Sequence, residues 1–121
     1  MRRMKTVGWC LALVAASVAL VAAHMAVQKT MPEADAVLTA SPDHIQVWFT
    51  QSPDPVISRL TLESANGDVT LGRTEVRDDR SLAAMLPSRL AAGNYTVRWR
   101  TAGDDGHTQR GEFAFTVRAA D

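Results

Sequence analysis

The sequence predicts an all-β fold, an immunoglobulin-like or cupredoxin-like Greek-key β-sandwich of about seven short strands preceded by a signal peptide. Three observations point to it. Short runs that alternate apolar with polar residues recur along the chain, separated by clusters of Pro, Gly and Asn. No long helical periodicity follows the first apolar run. Gly93-Asn94-Tyr95 places a tyrosine just after a turn, where Greek-key sandwiches commonly fold the hydroxyl back onto the preceding connection.

The chain opens on the basic stretch Met1-Arg2-Arg3-Met4-Lys5 and continues uncharged from Thr6 to Ala23, rich in Ala, Val and Leu. It ends in Val21-Ala22-Ala23, small or β-branched residues at the positions a signal peptidase reads, so the expected cut lies between Ala23 and His24. A cut after Ala22 would leave bulky Leu20 three residues upstream. A retained anchor is disfavoured because about 18 apolar residues are at the short end for a membrane span. Cys10 follows Trp9 and lacks the small preceding residue of a lipidation site. The expected organisation is therefore a cleaved signal peptide at 1–23 and one domain at 24–121.

Removing 23 of the 121 residues leaves 98, enough for one small core and no second domain. The 13 basic and 13 acidic residues balance, but Arg2, Arg3 and Lys5 leave with the signal, so the mature part carries 10 against 13, a net charge of −3. No nucleic-acid-binding face is implied. Cys10, the only cysteine, leaves too, which excludes disulfides and thiolate metal sites from the mature domain.

The strands follow in order. Residues 25–31 form a plausible first strand with His24 at its outer end, and Pro32-Glu33-Ala34-Asp35 turns it toward residues 36–38. In 44–50, Ile45, Val47 and Phe49 share one face. Residues 51–55 contain Pro53 and Pro55 and read as a loop; 56–62 reads as the next strand. The Asn66-Gly67 pair marks a hairpin that should return 69–71 beside Leu60 and Leu62. Residues 73–80 are charged, an exposed edge or loop, and 81–86 a short strand before Pro87. Residues 95–100 and 112–117 alternate cleanly and bracket a loop punctuated by Gly103, Gly106 and Gly111. Trp99 reads as a core aromatic, and Met25, Met31 and Met85 as packing residues. His44, beside Asp43 at a strand start, reads as a bystander.

Two features carry metal chemistry. Asp105-Gly106-His107 sets a carboxylate and an imidazole two residues apart on a glycine-bent loop, by itself a weak motif. His24 is the stronger feature: as the first residue of a processed chain it could chelate one metal through both its α-amino nitrogen and its ring. The cut creates a ligand.

Together the residues resemble the CopC-like copper-resistance family of exported copper-binding proteins. The matching stretches are His24 after the signal, Thr30-Met31-Pro32-Glu33-Ala34-Asp35-Ala36-Val37-Leu38, the loop of Pro53 to Pro55, Ala92-Gly93-Asn94-Tyr95-Thr96-Val97-Arg98-Trp99-Arg100, Asp105-Gly106-His107 and Gly111-Glu112-Phe113-Ala114-Phe115-Thr116-Val117. The resemblance implies a periplasmic β-sandwich that binds one Cu(II) ion through His24, Asp105 and His107, and a pairing with a CopD-like inner-membrane copper transport protein. Nitrogen and carboxylate donors suit Cu(II), which heads the Irving–Williams order. The α-amine, with an ordinary pKa of about 8, must lose its proton to bind, so affinity should fall with pH. Family members with a second, Cu(I) site carry a methionine-rich loop; residues 51–56 hold no methionine, so no Cu(I) site is expected. Met25 stands where the family often has alanine, Gly103-Asp104 replaces a common Ser-Ala, and Asp104 is a competitor of Asp105 for the carboxylate role. The expected protein is a monomer and a binding module rather than an enzyme. Two alternatives stay open: a histidine-brace copper oxygenase, for which Trp48 is the one exposed aromatic on offer, and a metal-free exported interaction domain.

Overall fold

The structure, a computed structural model, describes residues 24–119; the expected signal peptide lies outside the described residues. Within them run β1 (Val27–Met31), β2 (Val37–Leu38), β3 (His44–Phe49), β4 (Arg59–Ser64), β5 (Gly67–Val69), β6 (Glu75–Arg77), β7 (Ser81–Met85), β8 (Gly93–Ala102) and β9 (Thr108–Val117). They build a four-stranded sheet, β1-β3-β7-β6, and a five-stranded sheet, β2-β9-β8-β4-β5. The chain crosses between the sheets after β1, β2, β3, β5 and β7 and stays within one sheet in the β4–β5, β6–β7 and β8–β9 hairpins, so it forms the all-β Greek-key sandwich that its alternation predicts.

The period-2 pattern explains the core. Ile45, Val47 and Phe49 turn inward from β3 at 0%, 0% and 1% exposure. Leu60, Leu62, Val97, Phe113, Phe115 and Val117 face them from the other sheet. Burying each such side chain contributes roughly 1.5–3 kcal/mol, and hydrophobic burial carries this disulfide-free domain. Tyr95 makes the anticipated corner: its hydroxyl donates to the Ala91 carbonyl at 2.6 Å while its ring stacks on Phe115, centroids 5.4 Å apart. Trp99 meets Phe49 edge-on at 5.2 Å, in keeping with a core role.

Several local expectations are corrected. Val56 and Ile57 do not start a strand. Asp54 Oδ1 accepts their backbone N–H groups at 2.8 and 3.2 Å, and this Asx turn delays β4 to Arg59. The 65–68 hairpin forms, but Ser64 pairs with Gly67 and β5 ends at Val69, so Leu71 stays outside the ladder. Gly111 lies within β9 opposite Trp99 and is no part of the loop. A Cβ there would run into the Trp99 ring, so glycine serves close packing. Met25 is buried at 5% exposure, as read, but Met31 and Met85 are 44% and 52% exposed and are not core packing residues. Both fall on the outer face of the four-stranded sheet, where Met31 pairs with Gln46 and Met85 with His44.

Candidate metal centre

The hairpin of β8 and β9 carries one half of the site. Its last pair is Ala102 with Thr108, and residues 103–107 close it. Gly106, at φ 75°, donates its N–H to the Gly103 carbonyl at 3.0 Å, a left-handed bend that favours glycine. Asp105 then folds onto His107: Oδ1 accepts the His107 backbone N–H at 3.0 Å, and Oδ2 lies 3.2 Å from Nδ1. The His107 backbone N–H, followed by its ring, holds the Asp105 carboxyl below the ordinary carboxylate value; partial burial opposes this, and the charges of His107 and His24 add to it. The carboxylate is thus kept ionised, and the Nε2 of His107 points away from that contact on a side chain 80% exposed.

The N-terminal segment carries the other half, and Thr50 and Gln51, just after β3, join the two. Ala26 donates to Thr50 Oγ1 at 2.9 Å and accepts from the Thr50 N–H at 2.9 Å. The next residue, Gln51, reaches the loop instead, its Oε1 accepting the Asp104 N–H at 3.1 Å. Gly103 permits that approach, because a Cβ there would collide with the Gln51 amide and sit 3.5 Å from the Met25 Cβ. Met25 is therefore wedged beside the loop, and His24 follows it to within electrostatic reach of Asp105.

Of the expected ligands, Asp105 and His107 are in direct contact, and His24 acts on Asp105 through its charge alone. Among the described residues, no group of three or more His, Cys, Asp or Glu side chains is placed to hold a metal ion. One further donor depends on processing, since the His24 nitrogen is a peptide nitrogen while Ala23 precedes it. The donor types, imidazole and an ionised carboxylate on an exposed rim, fit a borderline divalent cation such as Cu(II). Asp104 offers its backbone N–H to Gln51, and its side chain is exposed. His44 stands at the far end of β3, roughly 17 Å of strand from Phe49. Its Nε2 contacts Gln46 Oε1 at 3.0 Å, a structural partnership. Trp48 is also engaged, donating to Asp79 at 2.9 Å beneath the Lys29 ammonium, 4.4 Å from its centroid, so it presents no bare stacking surface.

Thr50, Gln51 and Met25 were not legible as site residues.

Comparison with known proteins converges on one family. The CopC domain matches residues 27–118. Copper resistance protein C of Escherichia coli is 29% identical over 105 residues, covering 79% of this chain and 82% of its own. Protein YobA of Escherichia coli strain K12 is 27% identical over 99 residues, covering 79% and 80%. The crystal structure of CopC from Methylosinus trichosporium OB3b superposes with a TM-score of 0.73 at 27% identity, covering 81% of this chain and 97% of that one.

Proposed function

Because the chain belongs to the CopC family, we propose that residues 24–121, freed of the 1–23 signal peptide, form a periplasmic copper-binding protein of copper homeostasis or resistance. It is a binding protein and not an enzyme. The observation that supports this reading is the docking of the N-terminal segment against the β8–β9 loop through Met25, Thr50 and Gln51, which brings the charge of His24 to bear on Asp105.

In this reading one Cu(II) ion is the cargo. His24 contributes its α-amine and imidazole once Ala23 is removed, His107 its free ring nitrogen, and Asp105 a carboxylate oxygen. Asp105 also orients His107, as carboxylates commonly do for metal-bound imidazoles. The buried thioether of Met25 is committed to packing, so the donors are nitrogen and oxygen, which favour Cu(II) over Cu(I). A rim site of this kind suits capture and release, by sequestration or by passage from a monomer to a CopD-like inner-membrane protein.

The test is a Cu(II) titration, with electron paramagnetic resonance, of exported protein whose N-terminus is verified by mass, against a form with one residue added before His24. A single nitrogen-rich tetragonal site that weakens at least tenfold on extension is expected. Equal binding by both forms would remove the amine from the site, and absence of binding in both would overturn the copper reading.

A further inference from the structure

Three arginines far apart in sequence stand side by side on the outer face of the five-stranded sheet. Arg59 of β4 pairs with Arg100 of β8, and Arg100 with Arg110 of β9. The inward Leu60, Trp99 and Gly111 pair one position away, so all three arginines point outward. Neighbouring strands lie about 4.8 Å apart, and like charges directly opposite one another are destabilising. The carboxylates nearest the row, Glu63 and Glu112, are both held by Arg98, at 2.7 and 3.2 Å, and Asp68, across from Glu63 on β5, makes no salt bridge to the row. Among the described residues Arg59, Arg100 and Arg110 form no salt bridge, and the Arg100 Nε donates only to the Ile57 carbonyl at 3.3 Å. An open depression bordered by Thr61, Arg98, Gly111 and Glu112 adjoins the row. On a mature chain of net negative charge, such a row is not a by-product of basic composition.

Its position is informative. Two further pairs, Thr101 with Gln109 and Ala102 with Thr108, separate the row from the 103–107 loop. We propose that Arg59, Arg100 and Arg110 form the docking site for a carboxylate-rich segment of a partner protein; that this partner exchanges copper at the adjoining loop rests on the function proposed above. Guanidinium forks match carboxylates in bidentate geometry and tolerate one another when an anion lies between them. A bilayer of anionic lipid fits the face less well. It would press Glu63 and Glu112 against negative headgroups and meet a net negative protein, whereas a short segment meets the row alone.

The probe is a fluorescent peptide of alternating glutamate and serine, titrated with the mature protein and followed by anisotropy at low salt. Arg59→Gln/Arg100→Gln/Arg110→Gln should weaken binding at least tenfold. Arg77→Gln/Arg89→Gln/Arg118→Gln, an equal change of net charge off the row, should weaken it less than twofold. Binding should fade at about 0.5 M salt, where screening acts within a few ångströms. Equal losses in the two triple variants would overturn the proposal, as would tighter binding to phosphatidylglycerol vesicles than to the peptide. The row variant should keep its Cu(II) affinity. Wild-type protein that binds the peptide but no copper would support the row and refute only the copper reading. Arg110→Thr alone should raise the melting temperature by roughly 1–4 °C by relieving like-charge contact, and a fall would show that the row serves stability instead.

Discussion

Replacing Met25 by alanine tests whether packing, as distinct from ligand identity, governs the metal centre. Met25 is 5% exposed and lies against Gly103, while the adjacent Ala26 is held by two hydrogen bonds to Thr50. Burial of a methionine side chain contributes roughly 1.5–3 kcal/mol, and each hydrogen bond about 1 kcal/mol net. The thioether is thus the largest single contribution holding the terminus on the loop. At about 1.4 kcal/mol per tenfold, its removal should lower Cu(II) affinity about 10–100-fold with every proposed ligand intact. Because a chain end can detach by itself, the melting temperature should change less than it does for Leu82→Ala in the core. Competition titration against a chelator reads the affinity, and hydrogen exchange at the Ala26 and Thr50 amides reads the detachment. Met25→Leu, which conserves volume, should restore both. If Met25→Ala speeds exchange at those amides yet leaves affinity within twofold, placement of His24 by Met25 has no bearing on the site.

Three further outcomes follow from the packing. Tyr95→Phe keeps the stack on Phe115 but removes the 2.6 Å bond to Ala91, so it should cost about 1 kcal/mol and lower the melting temperature by roughly 4–8 °C. Gly111→Ala should cost about 1–3 kcal/mol by driving the Trp99 ring off Phe49, visible as a shifted tryptophan emission; unchanged stability and emission would contradict the packing role assigned to that glycine. Asp79 is held below its ordinary value of 3.8, first by the Ser81 hydroxyl, and burial partly opposes this. A depressed carboxyl contributes stability that is present above the unfolded value and is lost as pH falls through the folded one. Asp79→Asn should therefore reduce the drop in urea midpoint between pH 5 and pH 2, and an identical drop would discount the Ser81 and Trp48 contacts.

Strand periodicity and residue type are local properties, and they were readable before any fold was known. The alternation in 44–50, 95–100 and 112–117 determined the inward faces, because side chains two residues apart must share a side of a pleated strand. Tyr95 announced its corner, and Asp105, His107 and His24 declared their donor chemistry. Register and the approach of distant segments were decided elsewhere. Gly111 belongs to a strand because Trp99 lies across it, Met31 and Met85 are exposed because their positions fall on an outer face, and Val56 is in a turn because Asp54 captures two amides. Thr50 and Gln51 became the link between the halves of the site only when β3 was set between the terminus and the hairpin. The arginine row needed three strands in register, separated by about 40 and 10 residues of chain. Such pairings depend on which surfaces the whole core can bury together, a condition that no short stretch of sequence contains.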